Sequence, residues 1–190
     1  MDCSSGKYFG IRNIIGSVAF LAFTISVAQS AVAAPVEDPA CKFVFDASDK
    51  LNTTPWHMYL TELRGTSKSG KPETSETIFV SGIRYIQFRG QWKQSPITVP
   101  QMRDQEAENR NNAKNQSCHF VKDDTVNGEA ASVHFAHYES EDAKSDGQVW
   151  ISKRSGLILR NELDIDSGGG KSDLNHYSIR YDYSNVNPPL

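Results

Sequence analysis

The chain has 190 residues, 38% hydrophobic and 23% charged, with a formal net charge of −3; that is enough for one domain of ordinary size and too little for two with separate cores. No basic stripe or arginine-rich face is present, which argues against sequence-independent nucleic-acid binding and against electrostatic attachment to anionic membranes.

At the start, Lys7 and Arg12 precede an apolar run from Ile14 to Ala28, and Ala31 and Ala33 stand in the A-x-A arrangement that signal peptidase accepts. Residues 1–33 are expected to be a cleavable signal peptide, 34–37 a short tether and 38–190 a single domain, periplasmic or secreted. The run contains Gly16, Ser17, Thr24 and Ser26 and falls short of the roughly twenty apolar residues a membrane span needs. No transmembrane segment is expected after processing. With Cys3 removed, Cys41 and Cys118 remain, and two cysteines in an oxidising compartment point to one disulfide.

Asp38 and Pro39 have the chemistry of a helix start, and Val44, Ala47 and Leu51 then fall on one helical stripe that ends before Thr54-Pro55. Alternation replaces helical spacing from there. Trp56, Met58 and Leu60 share one face, while His57, Tyr59 and Thr61 share the other. The stretch from Gly65 to Glu73 reads as a hairpin loop, followed by strands at Thr77 to Val80, at Arg84 to Phe88 and around Trp92. Thr98 and Gln101 form a capping box with Pro100 in the first turn, so a helix is expected from there toward Asn112. It is almost entirely polar, with only Val99 and Met102 to bury, and a helix of that kind lies against solvent or frays. The remainder reads as strands through Cys118/Phe120, Val133/Phe135, Val149/Ile151 and Leu157 to Ile165. The last is the clearest: Tyr177, Ile179, Tyr181 and Tyr183 project to one side, and Ser178, Arg180 and Asp182 to the other. The fold class expected is α+β, mainly antiparallel β, as one large meander that curls to bury its apolar face.

Chemical motifs are sparse. Gly168 to Ser172 resembles the end of a phosphate-binding loop but joins two strands and lacks the first glycine, where Ile165 stands. Asp164 and Asp166 lack the regular spacing and closing glutamate of a calcium loop. His134 and His137, three apart on a strand, point to opposite faces and do not share a metal ion. No metal site and no cofactor is expected. No nucleophile elbow or HExxH motif is present either, so catalysis is unsupported and no catalytic residue is assigned.

Two C-terminal stretches carry a family likeness. Gln148-Val149-Trp150-Ile151 precedes the turn Ser155-Gly156-Leu157-Ile158-Leu159-Arg160, and Tyr181-Asp182-Tyr183-Ser184-Asn185-Val186-Asn187-Pro188 closes the chain. Over roughly the last forty residues the sequence resembles the periplasmic outer-membrane lipoprotein carrier (LolA-like) superfamily. The resemblance implies a half-open barrel around an apolar cavity, one or two covering helices and no catalytic residues. The expectation that follows is a monomeric, non-enzymatic binding protein that holds a lipid or acyl group. Trp56, Met58, Leu60, Tyr85, Phe88 and Trp150 are the expected lining residues. The alternative is an envelope sensor or assembly module that binds a protein and has no ligand cavity, which the polar helix favours.

Overall fold

A computed structural model describes residues 38–65, 71–168 and 174–190; the expected signal peptide and tether lie outside the described residues. Asp38 caps the chain's entry by accepting from the Ala40 N–H at 2.9 Å. A 3-10 turn, Pro39–Cys41, leads into α1, Lys42–Leu51. Ala47 is buried on the sheet side of α1, with Val44 and Leu51 packed beside it.

Four strands follow: β1 (Trp56–Arg64), β2 (Glu73–Val80), β3 (Ile83–Phe88) and β4 (Gln91–Gln94). Two-residue turns at Ser81-Gly82 and Arg89-Gly90 join the last three, and all four residues have positive φ, from 52° to 76°. This is the mirror-image turn whose twist matches that of the flanking strands. After α2 (Val99–Asn111), five further strands form a second meander: β5 (Asn115–Val126), β6 (Glu129–Glu139), β7 (Lys144–Ser152), β8 (Ile158–Asp166) and β9 (Leu174–Asp182).

The nine strands form one curled antiparallel sheet in the order β4-β3-β2-β1-β9-β8-β7-β6-β5. The fold is thus the expected α+β half-open barrel, yet the expected single meander is corrected. There are two meanders, joined at the centre by β1 pairing with β9 from His57↔Asp182 to Arg64↔Asn175. The reason lies in α2. It connects β4 to β5, which are the opposite edges of the sheet, and a helix of 13 residues spans about 20 Å. It therefore crosses the concave side.

Local chemistry fixes where α2 starts. The Thr98 side chain accepts from the Gln101 N–H, and the Gln101 side chain accepts from the Thr98 N–H at 2.9 Å. The helix does not simply rest in solvent, however. Val99 and Met102 pack against the core, and Glu106 accepts from the Asn52 side chain at 3.0 Å. Arg110 donates to Asp49 at 2.6 Å and lies 4.6 Å over the Phe45 ring, while the Tyr138 hydroxyl donates to the Asn109 carbonyl at 2.8 Å. Polar contacts with α1 and β6 do most of the holding that an apolar stripe would otherwise do.

Curvature is marked by irregular pairing. Register shifts occur on β5 between Phe120 and Lys122, where Val121 is the extra residue, and on β8 opposite Trp150 and Ile151, where Leu159 is the extra residue. At Gly147 a side chain would collide with the Leu163 side chain and the Glu162 carbonyl, so β7 and β8 approach there only because the residue is glycine. The expected disulfide is present: Cys41 and Cys118 are bonded, with Cα atoms 4.9 Å apart and 77 residues between them in sequence. It ties the turn before α1 to edge strand β5. Closing a loop of that length restricts the unfolded chain, so the double variant Cys41→Ser/Cys118→Ser is expected to lose about 4 kcal/mol, read as a lowered urea midpoint with an otherwise native circular dichroism spectrum.

Candidate functional site

Strand register sorts the apolar side chains onto two faces. On the concave face Trp56 pairs with Phe79, Met58 with Thr77 and Tyr181, and Leu60 with Ser75 and Ile179. At the Trp56 end this face is closed. Trp56 stacks on Phe79 at 5.6 Å, meets Tyr181 edge-on at 5.8 Å, and donates its indole N–H to the Leu51 carbonyl at 2.8 Å. Val149, Ile151 and Ile158 complete this core with Val44, Ala47 and Leu51 of α1 and Val99 and Met102 of α2.

The opposite end of the concave face is open. Leu60, Ser75 and Phe88 line a groove of about 660 Å³, and Phe88 is 55% exposed there. Its rim is charged. Glu62 accepts from Arg64 at 3.0 Å and from the Tyr177 hydroxyl at 3.3 Å, and Arg64 also reaches Glu73 at 3.4 Å. Partial burial, with the Glu62 carboxylate adding to it, raises the Tyr177 phenol above its ordinary range. Lys71 and Arg89 complete the rim.

Of the six side chains expected to line a cavity, Trp56, Met58, Leu60 and Phe88 lie on the concave face, and of these Leu60 and Phe88 line the groove. Trp56 and Met58 belong to the closed end. Tyr85 and Trp150 are corrections, because both point to the convex face. Tyr85 pairs with Ile78, opposite His57, and is three positions from Phe88. Trp150 lies between the inward Val149 and Ile151, packs on Ala131, Val133 and Leu159, donates to Asp124 at 3.0 Å and sits 4.8 Å beneath Arg160. With the strand pairing fixed, alternation keeps both out of the Leu60 row.

The histidines separate as their spacing requires. His134 is on the concave side, stacked on Phe43 at 6.0 Å, with its Nε2 3.1 Å from the Ser132 hydroxyl. Burial lowers its pKa. His137 meets Asp146 at 2.7 Å on the convex side. Asp164 and Asp166 do not converge on one point: Asp164 is engaged by His176 at 2.7 Å, and Asp166 accepts from the Gly168 N–H at 2.9 Å. The rim residues Glu62, Lys71 and Arg89 were missed by sequence reading. The signal for Glu62 was available, since it continues the even-numbered row of Trp56, Met58 and Leu60.

Tyr181 and Tyr183 both have pKa values raised far above the ordinary 10.0, mainly by burial, with the Glu106 carboxylate adding to it for Tyr181 and Tyr181 itself and Glu129 for Tyr183. A folded value above the unfolded one means that this contribution to stability is complete below pH 10.0 and is lost as pH rises beyond it. We expect tyrosinate absorbance of these two residues to appear only together with unfolding, and Tyr181→Phe to reduce the alkaline loss of stability.

No family model matches the sequence, and no curated protein matches it. Among solved structures the chain is similar to the lipoprotein LppX of Mycobacterium tuberculosis, at 9% identity over 76% of this chain and 95% of that one, with a TM-score of 0.42. It is also similar to LprF from Mycobacterium bovis, at 10% identity over 80% and 96%, TM-score 0.42. A third is a LolA-superfamily protein from Nitrosomonas europaea, at 6% identity over 75% and 91%, TM-score 0.23.

Proposed function

We propose that this chain is an exported, non-enzymatic binding protein that holds an acyl chain or another apolar group in the open half of its half-barrel. The observation that carries this reading is the unequal filling of the concave face. Two helices occupy the Trp56 end, whereas at the Leu60 end the apolar row faces a groove of about 660 Å³, a volume ordinary for small-molecule sites. An exposed phenylalanine on a concave apolar wall is surface that a ligand would remove from water, at about 0.8 kcal/mol for each methylene buried with it. The signal-peptide pattern of residues 1–33 supports a periplasmic or secreted location.

The polar outward side of α2 favours a second reading, an envelope module that docks a protein there and leaves the groove empty. One experiment separates the two. Protein purified gently from the envelope of an exporting host is expected to carry lipid in native mass spectrometry and, once delipidated, to enhance the fluorescence of N-phenylnaphthylamine. Leu60→Asp is expected to weaken that probe at least about tenfold with an unchanged melting temperature. Bare protein that ignores the probe, or a Leu60→Asp variant that binds it as well as wild type, would exclude the acyl-holding role.

A further inference from the structure

Resting on that reading, we infer that the groove selects anionic amphiphiles, seating the chain against Leu60 and Phe88 and the negative headgroup on a cluster formed by Lys71, Arg89 and Lys93. The Phe88 ring is flanked by two of these cations, with the Arg89 guanidinium carbon 5.1 Å and the Lys93 ammonium 5.9 Å from its centroid. Lys93 pairs with Ile86, two residues before Phe88, and so shares the concave face. Lys71 stands two residues before β2 and lines the same groove.

The charge count around the groove is the core of the argument. Arg64 is committed to Glu62 and Glu73, whereas Lys71, Arg89 and Lys93 make no ion pair among the described residues. Among the described residues the groove's own lining is balanced, Lys71 and Arg89 against Glu62 and Glu73; Arg64 beside it is taken up by both carboxylates, and Lys93 stands against Phe88, so that Lys71, Arg89 and Lys93 are the cations left without a carboxylate partner. Arg84, another concave-face cation without a carboxylate partner, donates to the Ser95 hydroxyl at 3.2 Å and does not line the groove.

Backbone geometry supports the same assignment. Arg89 has φ of 52° beside Gly90 at 75°, a turn position where asparagine or glycine is the low-cost choice. A long cation held there against the backbone preference, with its head folded back over Phe88, is placed where a headgroup would emerge from the groove.

The test compares oleate with oleyl alcohol, which share a chain and differ in headgroup charge, using delipidated full-length protein exported and processed by its host. Wild type is expected to bind oleate about tenfold more tightly at low salt. The triple variant Lys71→Gln/Arg89→Asn/Lys93→Gln, with asparagine chosen to tolerate the positive φ, is expected to bind the two equally by weakening oleate alone. Phosphatidylglycerol is expected to compete where phosphatidylcholine does not. Equal affinities in wild type, or a preference that survives in the variant, would overturn the inference and leave the acyl-holding role standing. Displacement of oleate by inorganic phosphate alone would also overturn it, by reducing the cluster to a simple anion site. Failure of both oleate and oleyl alcohol to bind would remove the acyl-holding role itself.

Discussion

The pairing of β1 with β9 is the constraint on which the rest of this molecule depends. It joins the first strand of one meander to the last strand of the other, along Met58↔Tyr181 and Leu60↔Ile179. A slip of one residue would turn Trp56, Met58 and Leu60 away from Tyr177, Ile179 and Tyr181 and leave neither row facing a core. Because this junction is central, the two outer strands of the sheet are β4 and β5, and the chain must travel from one to the other. The crossing of α2 follows from that topology rather than from any strong apolar preference of its own.

The crossing makes the two ends of the half-barrel unequal. Where α1 and α2 meet the sheet, Trp56, Phe79 and Tyr181 are packed like an ordinary protein interior, and the Cys41–Cys118 bond fixes the helical layer to β5. Farther along the same rows no helix follows among the described residues, and Leu60, Phe88 and their charged neighbours face the groove instead. One face of one sheet therefore supplies both the stability of the fold and the surface assigned here to a ligand.

What could be read from the sequence was whatever depended on neighbours a few residues away. The Thr98/Gln101 capping box, the Val44/Ala47/Leu51 stripe and the alternation of β1 and β9 are local patterns, and each is present as read. The turns Ser81-Gly82 and Asn127-Gly128 were equally legible hairpin signals and passed unused. Face assignment across strands was not legible, because it depends on pairing: nothing near Trp150 in sequence discloses that Val133 stands opposite it. The same holds for α2, whose anchoring by Asn52 to Glu106 joins residues 54 positions apart. For the groove, the apolar wall was half visible in Leu60 and Phe88. Its cationic mouth was hidden, since Lys71 precedes β2 whereas Arg89 and Lys93 lie on the β3–β4 hairpin, and only the pairing of β2 with β3 brings Lys71 and Arg89 to one groove.

The irregular step in β5 has a consequence for self-association. An outermost strand of 12 residues offers unsatisfied amide and carbonyl groups to any passing β-segment, which is the usual route to fibrils. Here the step between Phe120 and Lys122 interrupts the ladder at its midpoint, and Lys122, Asp123 and Asp124 follow at once. At the other margin β4 has only four residues. A half-open sheet can in this way keep a greasy interior within reach without becoming a template for its own polymerisation.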